Sequence, residues 1–101
     1  MSIAIKRYPK CYSLTVAAGS SYGGANLTTF PDVCGFLQIS NQTNQDVSVK
    51  LNGDSQAVFT LPSLSTQVFD WLDLTIYSVD FANTASGAID VDIEMIAGLQ
   101  P

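Results

Sequence analysis

Apolar side chains recur at every second position through most of this chain, and nowhere is the three-to-four spacing of an amphipathic helix sustained. Tyr12, Leu14 and Val16 fall on one side of residues 12–16, and Val33, Leu37 and Ile39 on one side of 33–40. In 46–51, Val47, Val49 and Leu51 alternate with Asp46, Ser48 and Lys50. Ala57, Phe59 and Leu61 align in 57–61, as do Gln67, Phe69 and Trp71 in 66–71. Residues 74–81 change phase, with Leu74 and Ile76 on one face and Tyr77, Val79 and Phe81 on the other; a bulge or burial on both sides explains such a shift. The last run, 88–96, turns Ile89, Val91, Ile93 and Met95 inward. Short strands punctuated by Gly, Asn, Ser and Pro predict an all-β chain: a single antiparallel β-sandwich of about seven to eight strands with jelly-roll or Greek-key connections.

The punctuation divides the chain further. Asn52-Gly53-Asp54 signals a hairpin turn, because Asn and Gly tolerate positive φ, and Pro62 ends the following run by denying a ladder donor. The remaining polar residues of 41–63 read as the solvent side of that hairpin. Residues 17–32, AAGSSYGGANLTTFPD, form a long Gly- and Ser-rich loop with Tyr22 and Phe30 set in it, and a loop of that length in a compact domain points to partner contact. Residues 1–10 read as an N-terminal arm, leaving 11–101 as one domain; at 101 residues the chain is long enough for one core.

Charge changes this picture more than hydropathy does. Charged residues are only 13% of the chain, so its surface has to be covered by uncharged polar and apolar groups, which favours a component whose surface is buried by partners. Lys6, Arg7 and Lys10 stand in the first ten residues without an acid, whereas the rest of the chain has Lys50 against all nine carboxylates. A basic arm of this kind suits an acidic neighbouring surface or the acidic body itself. Nucleic acid is not expected, since the acidic body repels phosphates and three cations release few counterions. No signal-peptide core follows the start, and no apolar run is long enough to span a membrane as a helix, so a soluble chain made in the cytoplasm is expected, with Cys11 and Cys34 as thiols.

Candidate chemistry is sparse. Asp90, Asp92 and Glu94 share one strand face, but successive carboxylates on it are roughly 6.6 Å apart along the strand, too far to encircle a calcium ion. They read as a solvated face or one that meets a basic patch. The absence of His removes the usual base of nucleophilic triads. Asp70 with Asp73 or Asp80 could supply a two-carboxylate pair, yet a sandwich this small offers little room for a cleft. No metal, cofactor or enzymatic activity is expected. Asn26-Leu27-Thr28 and Asn41-Gln42-Thr43 fit the glycosylation triplet, but no secretion signal accompanies them. Trp71 reads as core beside Phe69.

From residue 37 onward, LQISNQTNQDVSVKLNG, AVFTLPS, TQVFDW, TIYSVDF and SGAIDVDIEMI follow one another in an order that resembles small β-sandwich structural proteins of tailed bacteriophage virions. The likeness is carried by Ile39, Asn41, Val47, Val49, Leu51, Gly53, Phe59, Leu61, Pro62, Gly87, Val91 and Ile93. It implies a virion protein made in the host cytoplasm: a capsid decoration or cement protein, commonly a homotrimer, that binds the major capsid protein and stabilises the shell. Ile3, Ile5, Lys6, Arg7, Tyr8 and Lys10 of the arm, with Tyr22 and Phe30 of the loop, are then the expected contact residues. Two other readings stay open: a carbohydrate-binding or adhesin-like module stacking sugars on Tyr22, Trp71 or Tyr77, and a head-completion or tail-associated virion component.

Overall fold

The computed structural model describes residues 8–70 and 75–100. Their strands are β1 (Tyr8–Val16), β2 (Thr28–Asn41), β3 (Val47–Leu51), β4 (Val58–Leu61), β5 (Thr66–Phe69), β6 (Ile76–Ala82) and β7 (Val91–Gln100), with one short 3-10 turn at Gly24–Asn26. Every pairing is antiparallel, and the hydrogen-bonded order is β1-β7-β2-β6-β3-β4. β2 is the organising strand: β7 lies along one edge, while β6 and then β5 occupy the other. The chain is all-β, as the alternation predicts.

Among the described residues no α-helix covers this sheet, yet Leu37, Ile39, Val49, Phe81 and Val91 are 0% exposed. Strand faces must therefore cover one another, and the sheet wraps so that β1, β2, β3, β4, β6 and β7 all contribute to one core. Each large side chain removed from water in this way contributes about 1.5–3 kcal/mol. Phe59 and Phe69 close one flank edge-to-face, with ring centroids 5.7 Å apart.

Several boundaries differ from the sequence reading. β1 already begins at Tyr8, so Tyr8, Pro9 and Lys10 pair with Leu99, Gly98 and Ala97 and do not belong to a free arm. β2 begins at Thr28, which shortens the expected 17–32 loop and places Phe30 in a strand. Pro31 is tolerated there because the β2–β6 register shifts between Thr29 and Cys34, where no ladder donor is demanded. A second irregularity, between Cys34 and Phe36 on the β7 side, reverses the facing of the strand. Val33, expected inside, is 39% exposed, and Cys34 takes its place in the core. Ile89 is 51% exposed because β7 starts only at Val91. Gln67 is also exposed.

The phase change in β6 has both of its expected causes. Ile76 faces inward opposite Cys34, the pairing then slips, and Val79 and Phe81 turn inward beyond the slip. Asp80 and Ala82, on the opposite side, are buried as well.

At the β3–β4 connection Asn52 and Gly53 have φ of 57° and 65°, and the Asp54 amide donates to the Leu51 carbonyl at 3.0 Å. This is the predicted positive-φ turn, followed by a second turn in which Ala57 N donates to Asp54 O. Asn52 also reaches across to β6, accepting from Tyr77 N at Oδ1 and donating from Nδ2 to Thr75 O. No neighbour blocks a Cβ at Gly53, so Gly53→Ala meets only backbone strain. We expect it to cost about 1 kcal/mol in urea unfolding, with the fold retained.

Candidate functional surface

The connection between β1 and β2 lies against the body. Gly19 N donates to Asn83 O at 2.7 Å, and Asn83 N returns a bond to Ser20 O at 2.8 Å. Farther along, Gly23 N donates to the Asp80 carboxylate at 2.9 Å, and the Lys50 ammonium sits 4.2 Å from the centre of the Tyr22 ring. The loop thus crosses the outer side of β6 and β3, which is what buries Asp80. That carboxylate also accepts from Phe81 N. Of the two loop aromatics expected to meet a partner, Tyr22 is half-buried under Lys50, and Phe30 is 7% exposed and packed edge-to-face on Tyr12. Phe30 is a core residue, because its strand turns it under β1.

Two asparagines tie the strand ends together. Asn83, 2% exposed, donates from Nδ2 to Ile89 O at 2.7 Å and Val16 O at 3.2 Å, while its Oδ1 accepts from Gln45 Nε2. Gln45 Oε1 in turn accepts from Ile89 N at 2.8 Å. Asn41 accepts from Thr43 N and donates to Gln45 O and Pro62 O. Asn26 donates to Ser20 Oγ and Ser21 O. Asn41 and Asn26, the acceptors of the two glycosylation triplets, are therefore both buried with their amide nitrogens engaged. Asn41 also departs from the solvent side assigned to the polar residues of 41–63.

The surface with the strongest character is the outer face of β1, β7 and β2. Register places Thr15, Ser13, Cys11 and Pro9 beside Asp92, Glu94, Ile96 and Gly98, with Ser40, Gln38 and Phe36 on the far side of β7. One half of this face is polar and acidic. It forms an open hollow of about 510 Å³ with Ser13, Thr15, Gln42, Asp92 and Glu94 in its walls. Thr15 Oγ1 donates to Asp92 at 2.8 Å, and Ala18 N donates to Asp90 at 2.9 Å. The other half is apolar, with a hollow of about 350 Å³ between Pro9, Phe36, Ile96 and Gly98. Ile96 is 41% exposed, and Val68, exposed on β5 opposite Gln38, extends the patch. The sequence does show the switch from acids to Ile96 along the outward positions of β7; ending the run at 96 concealed it.

Among the described residues no three His, Cys, Asp or Glu side chains form a group that could hold a metal ion. Asp80, a member of the conceivable carboxylate pairs, is committed to two backbone amides. Cys11 is exposed on β1; Cys34, buried in β2, donates its thiol to Phe36 O, and no disulfide joins them. The Tyr8 hydroxyl donates to Asp32, a bond that holds the phenol pKa above its ordinary value. Burial raises the Tyr12 pKa, and among the described residues the Tyr12 hydroxyl has no hydrogen-bond partner.

Of the expected arm contacts, Tyr8 and Lys10 lie in β1, with the Lys10 ammonium 5.5 Å from the Tyr12 ring centre. Ile3, Ile5, Lys6 and Arg7 lie outside the described residues, as do Trp71 and Asp73. Tyr77 is exposed on β6. Among the described residues no helix is long and apolar enough to cross a membrane. In comparisons with protein-family models, curated proteins and solved structures, the chain matches none.

Proposed function

We propose that this chain is a non-enzymatic structural component of a virion of the tailed-phage type, a decoration or cement protein that docks on the major capsid protein. The observation that carries the reading is the outer face of β1, β7 and β2. Its apolar half leaves Ile96 and Val68 in solvent on a chain with only 13% charged residues, a surface that favours a partner over free solution. The acidic half beside it supplies orientation through charge. Tyr22 and Phe30 are committed to the fold, so the docking surface consists of this face together with the basic residues at the N-terminus. The resemblance of residues 37 onward to small virion proteins points to a capsid shell as that partner.

The reading is tested on purified virions. Quantitative gels should find the chain at a fixed stoichiometry comparable with the major capsid protein, and a substoichiometric amount confined to tail or vertex would move it to another part of the particle. Ile96→Asp should lower occupancy by at least about tenfold, since it buries a charge in the docked state, while leaving unfolding unchanged because the side chain is exposed. Undiminished occupancy of Ile96→Asp, or absence of the protein from virions, refutes the assignment.

A further inference from the structure

The first strand is also the open end of the sheet. β1 pairs with β7 along its whole length, and among the described residues no strand lies on its other side. Nine residues of edge, about 30 Å long and with the Val16 carbonyl at its end engaged by Asn83, invite another strand. Only Pro9 and Lys10, both near its start, resemble the devices that usually blunt such edges.

The charges around this edge are self-complementary. Lys10 lies near the beginning of β1, and Lys6 and Arg7 precede it in the sequence. At the other end, Thr15 bonds Asp92 and Ala18 bonds Asp90. Among the described residues neither carboxylate has a cationic partner. An antiparallel copy brings the basic end of each chain to the acidic end of the other, twice, which is the condition for an isologous two-fold contact.

We infer that two copies of the chain pair antiparallel through their β1 edges, with Tyr12 at the two-fold axis, Tyr8 opposite the partner's Val16, and the sheet continuing across the pair. This register uses all nine residues of the strand. The assembly is a two-fold pair, not the three-fold grouping that the virion resemblance implies, and it stands whether or not the protein belongs to a particle.

The register also fixes the position of Cys11, which is exposed and one residue from the axis. It faces the partner's Ser13, and the two Cys11 side chains are diagonal neighbours about 7–8 Å apart, within reach of a short bis-maleimide and too far for an unstrained disulfide.

Sedimentation of the full-length chain in low salt should give twice the 10.8 kDa monomer mass, shifting to monomer as salt is raised. Bis-maleimide treatment should yield a covalent dimer that is lost in Cys11→Ser. Asp92→Lys should weaken association by at least about tenfold, and Arg7→Glu added to Asp92→Lys should restore it. A monomer at every concentration overturns the pairing. So does a dimer that is unaffected by Asp92→Lys and gives no Cys11 cross-link, because those copies meet elsewhere. Solution mass and cross-linking report on the pairing, and virion occupancy reports on the capsid reading, so either can fail alone.

Discussion

Asn83→Ala is expected to destabilise the chain by about 3–4 kcal/mol, although it removes only a small polar side chain. Its amide nitrogen donates to the carbonyls of Val16 and Ile89, and its oxygen accepts a hydrogen bond from Gln45 Nε2. Alanine leaves those groups in a site where the parent residue is only 2% exposed, and each unpaired buried group costs about 1–3 kcal/mol. For a domain of this size the melting temperature should fall by roughly 12–30 °C. Asn83→Asp separates the hydrogen bonds from the volume. Its carboxylate faces two carbonyl oxygens, so its pKa in the fold is raised above the unfolded value. The stability of Asn83→Asp relative to wild type is therefore least impaired below the unfolded carboxylate pKa, about 3.9, and worsens as pH rises through the folded one. Urea melts of both proteins at pH 4 and 7 read this directly; a gap that does not widen with pH would show that the amide donor is not what Val16 and Ile89 need.

Phe30→Ala should cost about 3–5 kcal/mol, with near-UV circular dichroism altered by the loss of the Tyr12 edge-to-face contact at 5.4 Å. Buried beneath β1, the ring fills space that its neighbours cannot reclaim without moving the strand. Phe30→Leu, which keeps most of the volume, should recover more than half of the loss. A urea midpoint for Phe30→Ala equal to that of wild type, at unchanged slope, would mean that the ring is at the surface and available to a partner after all. Against a total stability on the order of 5–15 kcal/mol, either Asn83→Ala or Phe30→Ala alone could leave a substantial unfolded fraction at 37 °C.

The strand content was legible because alternation is written in side chains that all serve one core. Val47, Val49 and Leu51 sit inside as expected, and so do Val91, Ile93 and Met95. The failures fall where backbone geometry overrides the count of two. The irregularity between Cys34 and Phe36 sends Val33 outward, and nothing in the sequence around Gly35 distinguishes a bulge from an ordinary step. Thr28-Thr29-Phe30 read as the end of the Gly- and Ser-rich loop, whereas they open β2, whose slipped register beside β6 accommodates Pro31.

The proposed binding surface was half legible: the acids at 92 and 94 stood out, while the apolar patch combines Pro9, Phe36, Val68 and Ile96 from four strands, a neighbourhood that only the sheet order reveals. The asparagine ties were invisible for the opposite reason. Asn41, Gln45 and Asn83 carry the same signature as solvated turn residues, and burial is decided by the loops that close over them.

The pairing of Tyr8 with Leu99 and of Val16 with Val91 has a consequence for how the chain is made. β1 finds its ladder partner only when β7, some 75 residues later in the chain, emerges. At roughly 5–20 residues per second, β1 and the long edge of β2 wait several seconds on the ribosome without β7, exposing apolar strand edges to every other nascent chain nearby. Closure of this part of the sheet therefore waits for β7, and a ribosome stalled before Val91 would hold a sheet missing the strand that joins β1 to β2.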